Sequence, residues 1–231
     1  MENDLATISK MEISEIFKIL ATAESIDNVD NFDPIVNQWL KTSQNQHFKK
    51  LYYGLVYQPI LEVIELLKKN GFKIYVVSGG SVEFMRSWIP CIYGIPKEQI
   101  IGITLKTETV QNGNQITVQR LPELEHNDDH FGKVISIEKF IGKKPVIVFG
   151  NSDGDLEMME YATTNNKYPT LMAYVNHTDG VREWKYDDKT AYGKLDKGMV
   201  VAKQNNWLII DMKNDWKTIF APLGNIDCEK N

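Results

Sequence analysis

The chain has 231 residues, of which 42% are hydrophobic, and a formal net charge of -5. This length and composition can bury a sizeable core and favour one main domain with a small appendage. The negative charge and the dispersed lysines and arginines disfavour nucleic acid as a partner, and no apolar run approaches the roughly 20 residues that span a membrane.

The first part of the chain is polar and amphipathic. Ile13–Leu20 and Pro34–Leu40 predict short helices joined by a polar loop around Asp27–Asp33. From Pro59 the pattern becomes regular, with apolar residues at helical spacing until Asn70 and Gly71 end the helix.

The middle of the chain predicts a strand at Phe72–Val77, followed by a helix that Ser81 caps. Strand-like segments at Ile100–Thr109 and Gln115–Arg120 flank Asn112-Gly113, a strong hairpin signal. This part of the chain therefore combines a buried strand with an added β-hairpin flap.

The rest of the chain alternates helices with apolar strands. The predicted segments are helix Phe131–Ile141, strand Pro145–Phe149, helix Leu156–Ala162, strand Thr170–Val175 and strand Trp207–Asp211. Such alternation without internal repeats predicts an α/β fold: a doubly wound, Rossmann-like and mostly parallel sheet with the hairpin as a flap.

Small polar residues follow two of the predicted strands, at the edge where doubly wound proteins bind ligands. The first loop offers the hydroxyl of Ser78 and backbone amides at Gly79 and Gly80, which suit an anionic oxygen. The second loop offers side-chain oxygens on Asn151, Asp153 and Asp155, which suit a hard divalent cation such as Mg²⁺. Phosphate and metal side by side indicate phosphoryl chemistry.

Three blocks in this order resemble the haloacid dehalogenase superfamily of phosphatases, particularly its phosphoserine phosphatase-like branch. The blocks are YQPILEVIELLKKNGFKIYVVSGGSVEFM from Tyr57, HFGKVISIEKF around Lys133, and GNSDGD from Gly150. The resemblance covers roughly residues 55 to 220. It implies an Mg²⁺-dependent phosphomonoester hydrolase that works through an aspartyl-phosphate on a small phosphorylated substrate.

The resemblance also assigns the site residues. Ser78 and Lys133 take supporting catalytic roles and, with Gly79 and Gly80, bind the transferring phosphoryl group. Asn151 and Asp155 are the expected Mg²⁺ ligands. Asn151 departs from the usual aspartate, and a neutral amide attracts the ion less strongly than a carboxylate. Asp153 matches no required position, and we interpret it as an acidic residue of a first helical turn.

The nucleophile of this family is an aspartate in an Asp-x-Asp-x-Thr/Val signature on the first strand, and no such segment precedes Ser78. We therefore interpret residues 1–56 as the remnant of a helical cap, 57–222 as the core domain and 223–231 as a tail, with the first strand missing. The family places that strand between those ending at Ser78 and Gly150. We expect a gap there, a foreign strand filling it, or a poorly soluble protein.

Two other function classes stay open. One is a pseudoenzyme that binds a phosphorylated ligand or a protein partner without turnover. A plain nucleotide-binding protein is disfavoured because no Gly-x-Gly-x-x-Gly follows a strand. The cytoplasm is the favoured location, with a periplasmic or secreted location left open, and the sequence does not predict an oligomeric state.

Overall fold

The computed structural model describes residues 21–25, 29–185 and 193–222, with side chains from residue 32 onward in the first helix. The segment predicted as a helix at Ile13–Leu20 and the predicted tail at 223–231 lie outside the described residues. The described part is a Rossmann-like α/β fold, as the sequence predicts. None of its helices is long and apolar enough to cross a membrane.

The bounds of the elements, in chain order, are as follows. The helices are α1 (Val29–Thr42), α2 (Gln58–Lys69), α3 (Val82–Arg86), α4 (Ile89–Tyr93), α5 (Phe131–Ser136), α6 (Leu156–Thr163), α7 (Lys197–Gln204) and α8 (Met212–Asp215). The strands are β1 (Gln44–Asn45), β2 (Lys50–Leu51), β3 (Val76–Ser81), β4 (Ile100–Asn112), β5 (Gln115–His126), β6 (Ile147–Gly150), β7 (Leu171–Asn176) and β8 (Leu208–Asp211).

The main strands form two three-stranded sheets instead of the single sheet that the alternation predicts. One has the order β3-β4-β5 and the other the order β6-β7-β8. In the first, β3 runs parallel to β4 and the hairpin strands β4 and β5 are antiparallel. In the second, all neighbours are parallel. Among the described residues, β3 and β6 pair neither with each other nor with a common strand.

A large apolar cleft separates the two sheets. Its volume is about 1440 Å³, and the segments that include the starts of β3 and β6 line it, through residues 74–77 on one side and 146–149 on the other. Helix α2 contributes Ile60, Ile64 and Leu67 to its wall. The edges of β3 and β6 that are not paired in their own sheets therefore face a common space.

Helix α5 connects the two halves. It lies against β3 on one side and α6 on the other. One hydrophobic cluster packs Val148 of β6 against Met158 and Met159 of α6, and Val77 of β3 reaches the same cluster. Burial of a shared cluster holds the half-sheets together, since apolar area removed from water is the main favourable term in folding.

Several predicted bounds differ from the structure. Strand β3 begins at Val76 because its partner β4 begins opposite that residue, at Ile100. Helix α1 begins at Val29, inside the segment predicted as a loop. The predicted helix Phe131–Ile141 is α5 followed by a π-helical turn that ends at Gly142, where φ is 65°. The hairpin is confirmed and extends to residue 126.

Candidate active site

Lys133 connects β3 with the loop that follows β6. It lies on α5 and is only 4% exposed. Its Nζ donates a hydrogen bond to the carbonyl oxygen of Val77 at 2.7 Å and lies 3.3 Å from Oδ1 of Asp155. The carboxyl ends of β3 and β6 therefore converge on one ammonium group.

The Ser78 loop is a bulge at the end of β3 and not a helix start. The β3–β4 register shifts between Ser78 and Ser81, so Gly79 and Gly80 have no strand partner there. The hydroxyl oxygen of Ser78 accepts a hydrogen bond from the amide of Gly80 at 3.1 Å. Ser81, as predicted, caps α3 by accepting from the amide of Phe84. The bulge leaves Gly79 exposed at the carboxyl edge of the sheet.

The loop after β6 folds around Asp155. Oδ2 of this residue accepts hydrogen bonds from the backbone amides of Asn151 at 2.9 Å and Ser152 at 3.2 Å. Ser152 and Asp155 form a capping box on the short 3-10 turn that precedes α6. A β-carbon at Gly150 would lie 2.6 Å from that of Asp155, so only glycine permits this fold of the loop.

The described residues do not make a magnesium site by themselves. No group of three or more His, Cys, Asp or Glu side chains is placed to hold a metal within the described ranges. Both oxygens of Asp155 already face donors, and the other predicted ligand, Asn151, is neutral. Mg²⁺ prefers near-octahedral oxygen ligation with carboxylates, so further carboxylates are needed.

Asp153 has a structural role that agrees with its interpretation as a first-turn residue. Its Oδ1 accepts hydrogen bonds from the backbone amides of Asp196 at 3.0 Å and Gly198 at 2.8 Å. These bonds attach the loop after β6 to the start of α7. The side chain is therefore engaged away from Lys133.

Asp129 belongs to the site although the sequence analysis did not predict it. A β-carbon at Gly79 would lie 3.5 Å from Cγ of Asp129, and one at Gly154 would collide with its Oδ1. The carboxylate of Asp129 thus lies between the two predicted binding loops. Its neighbour His130 has φ of 50° and places Nδ1 3.3 Å from Oε2 of Glu157.

The only sequence signal for Asp129 is its place four residues before Lys133. The preceding residue, Asp128, is 0% exposed, and neither of its oxygens has a hydrogen-bond partner among the described residues. Nε2 of His126 lies 3.6 Å from Oδ1 of Asp128. The loop before α5 therefore carries two carboxylates in contrasting environments.

Tyr174 of β7 is paired with Gly150, the last residue of β6 before the loop. Burial, reinforced by the charge of Asp155, raises the pKa of the Tyr174 phenol well above its usual range. The hydroxyl is buried and has no hydrogen-bond partner within the described residues. The site therefore rests on a phenol that stays neutral over the physiological pH range.

Comparison with known proteins supports the fold. Neither a protein-family model nor a curated protein matched the sequence. Among solved structures, a protein of unknown function from Bordetella pertussis Tohama I is similar over 90% of this chain and 78% of its own, with 10% identity and a TM-score of 0.56. A conserved functionally unknown protein from Anaerococcus prevotii DSM 20548 is similar over 68% of this chain and 46% of its own, with 17% identity and a TM-score of 0.50.

A phosphoserine phosphohydrolase-like protein from Francisella tularensis also matches, with 22% identity and a TM-score of 0.40 over 64% of this chain and 58% of its own. This chain thus spans about half the length of the Anaerococcus and Francisella proteins. The Bordetella and Anaerococcus structures show a shared α/β fold, and at these identities they do not assign a reaction.

Proposed function

We propose that this chain is the scaffold of a haloacid dehalogenase-like phosphomonoester hydrolase whose nucleophilic aspartate comes from a segment outside residues 1–231. The chain by itself is then inactive, because covalent phosphoryl transfer requires the nucleophile. The substrate class is a small phosphorylated molecule.

One observation carries this proposal: the bridge that Lys133 makes between the ends of β3 and β6. Its Nζ lies within 2.7 Å of the Val77 carbonyl and 3.3 Å of Asp155. A buried ammonium at this point neutralises a carboxylate and a phosphoryl oxygen that approach between the two strands. The predicted phosphate loop, Ser78 to Gly80, begins at the residue after Val77.

The residues divide into two roles in this proposal. The hydroxyl of Ser78 and the amides of Gly79 and Gly80 bind phosphoryl oxygens, and Lys133 offsets their charge. Asp155 is a Mg²⁺ ligand only when the added segment brings further carboxylates, because the described residues do not hold the ion alone.

Inorganic phosphate tests the anion site in the chain as it is. We expect a titration followed by amide NMR to shift the Gly79 and Gly80 resonances saturably, and Lys133→Met to weaken the effect at least about tenfold, as expected for loss of a charge-assisted contact. Lys139→Met, on the exposed π-helical turn, is the charge-matched control. Absence of any shift at these glycines up to tens of millimolar phosphate would overturn the proposal.

The alternative is a binding protein for a phosphorylated ligand. It is favoured by the Lys133–Asp155 pair, which is complete without a metal or a nucleophile. The two functions differ in one outcome, since a binding protein stays inactive when a strand carrying the nucleophile is added.

A further inference from the structure

We propose that the amino edge of the two half-sheets is a docking surface for an anionic phospholipid bilayer. The amino edge consists of the segments that lead into β3, β6, β7 and β8, which are residues 68–75, 139–146, 163–170 and 203–207. It lies opposite the carboxyl edge, where Lys133 and Asp155 meet. This surface is outside the candidate active site, and its role is independent of the proposed phosphatase function.

Lysines are concentrated at the amino edge without acidic residues among them. The first two segments carry three lysines each and the other two carry one each, and none of the four contains aspartate or glutamate. The segments that follow β6, β7 and β8 mix both signs, with Asp153, Asp179 and Asp215 among their residues. The amino edge is therefore a positive face on a chain whose net charge is -5.

The lysines that line the cleft at this edge are available to an anion. Lys73, Lys143 and Lys167 are exposed, and none of them forms an ion pair with a described residue. All three line the same cleft, and no acidic residue lies in its wall. Like charges that share a surface repel each other, so an anionic partner at this edge lowers the electrostatic energy of the chain.

Exposed apolar side chains accompany these lysines. Phe72 is 41% exposed and precedes Lys73, and Tyr168 is 54% exposed and follows Lys167. The Nζ atom of Lys167 lies 5.1 Å from the centroid of the Tyr168 ring. Leu171, the first residue of β7, is 43% exposed. Aromatic and aliphatic side chains beside lysines are typical of surfaces that sit at the interface between lipid headgroups and acyl chains.

A bilayer fits this surface better than a nucleic acid does. The four segments contain no arginine, the residue that most often reads base edges and stacks on bases. An aliphatic side chain such as Leu171 gains from contact with acyl chains and has no counterpart on a phosphate backbone. The attraction of lysines to an anionic leaflet needs no fixed geometry, and each lysine near the surface strengthens binding about fivefold.

Docking through the amino edge also orients the candidate active site. Strands β6 and β7, of four and six residues, separate the two edges by roughly 13–20 Å at about 3.3 Å per residue. The loop of Ser78 and the Lys133 ammonium therefore face the solution and not the bilayer. The membrane is a place of attachment in this arrangement and not the source of the substrate.

Vesicle flotation with the chain as it is provides the test. Flotation separates protein bound to vesicles from aggregated protein, which sediments. Vesicles of phosphatidylcholine with about 30% phosphatidylserine are compared with vesicles of phosphatidylcholine alone, at about 100 mM salt, where the Debye length is about 10 Å.

Two triple variants with the same net charge locate the surface. The test variant combines Lys73→Gln, Lys143→Gln and Lys167→Gln. The control variant removes three exposed lysines from the segments that follow β7 and β8, through Lys185→Gln, Lys213→Gln and Lys217→Gln.

We expect the parent chain to float with the anionic vesicles and not with the neutral ones. The test variant should bind about 100-fold more weakly, from about fivefold for each of its three lysines. The control variant should bind within about twofold of the parent, because its lysines are more than a Debye length from the bilayer. Raising the salt to about 500 mM should weaken binding of the parent at least about tenfold.

Three results would overturn the proposal: no flotation of the parent with the anionic vesicles, equal flotation with the neutral vesicles, or equal weakening in the two triple variants. A fourth is tighter binding of the parent to a single-stranded DNA of about 20 nucleotides than to the vesicles, lost in the test variant. The amino edge would then be a nucleic-acid site.

Discussion

Lys133 and Asp155 form a buried ion pair with 3.3 Å between Nζ and Oδ1. Their side chains are 5% and 10% exposed. Each group has backbone partners as well, the Val77 carbonyl for the lysine and the Asn151 and Ser152 amides for the carboxylate. The pair thus connects the end of β3, helix α5 and the loop after β6.

Removal of the lysine charge should destabilise the protein. Lys133→Met leaves the carboxylate of Asp155 buried without its cation, and breaking such a pair costs about 3 kcal/mol. We expect this loss in the free energy of unfolding measured in urea.

A double-mutant cycle with Asp155→Asn checks the cause. The two changes together should cost less than their sum, with a coupling energy of about 1–3 kcal/mol. If the two losses in the free energy of unfolding are additive, the interaction between Lys133 and Asp155 does not contribute to stability. Lys139→Met on the exposed turn after α5 is the control for loss of one lysine.

Asp179 should contribute a pH-dependent part of the stability. The backbone amide of Arg182 donates to its Oδ1 at 2.9 Å, and this bond, with the Arg182 guanidinium, holds the pKa of Asp179 below its usual value. Because the folded pKa is below the unfolded value of about 3.9, the stabilisation is complete above that pH and is lost as pH falls through the folded pKa.

Asp179→Asn tests this contribution because it keeps an oxygen acceptor for the amides of Val181 and Arg182. Urea unfolding at pH 6 and at pH 3 should show a smaller loss of stability on acidification in the variant than in the parent chain. Glu98→Gln, at an exposed position, is the control. Equal losses in parent and Asp179→Asn would contradict the role given to this carboxylate.

Gly198 and Tyr174 form a tight contact beneath the site. A β-carbon at Gly198 would lie 2.6 Å from the Tyr174 hydroxyl oxygen. Gly198→Ala should therefore cost about 2 kcal/mol by overpacking, although alanine favours a helix. Tyr174→Phe removes a buried hydroxyl without a described partner and should stabilise the protein by about 1 kcal/mol.

The double variant gives the decisive measurement for this contact. Tyr174→Phe should recover only part of the loss in Gly198→Ala, because it removes the oxygen that the new methyl group meets but keeps the ring carbon Cζ at 2.8 Å and leaves Cδ1 of Leu195 at 2.9 Å. If Gly198→Ala lowers the melting temperature equally with tyrosine or phenylalanine at position 174, the contact with the Tyr174 hydroxyl is not what disfavours alanine at position 198.

Magnesium should bind the chain weakly. Asp155 supplies one carboxylate that is shared with Lys133, and Asn151 supplies no charge. We expect calorimetry to give a dissociation constant on the order of millimolar or weaker, reduced further in Asp155→Asn. Low-micromolar binding would show that another residue completes the site, and Asp129→Asn would then identify the first candidate.

The sequence predicts best those strands that combine an apolar run with a clear turn signal at their ends. Strand β7 is displaced by one residue at each end, and the two hairpin strands begin at their predicted residues and end three and six residues later than predicted. Strand β3 is predicted less well. The prediction begins it at Phe72, but the strand begins at Val76, because the residues before Val76 have no strand opposite them. Strand bounds depend on the partner, which periodicity does not report.

The candidate site shows the same limit. Ser78, Lys133 and Asp155 are predicted from motifs, and the structure places Lys133 and Asp155 in contact. Asp129 was missed because its position depends on the loop before α5, where His130 adopts a left-handed φ of 50°. No apolar period or glycine marks that turn. Helix α7 was missed as well, since Lys197–Gln204 has few apolar residues on one face.

The most direct test of the central claim adds to the amino terminus of the chain, through a Gly/Ser linker, a designed strand that ends in Asp-Gly-Asp, and measures phosphatase activity of this fusion with p-nitrophenyl phosphate and Mg²⁺. The fusion should turn over the substrate, while the same fusion with the first aspartate of its Asp-Gly-Asp changed to asparagine, and the unfused chain, should stay at background. Contradiction would come from Mg²⁺-dependent turnover by the unfused chain that Asp155→Ala abolishes, because the nucleophile would then lie within residues 1–231.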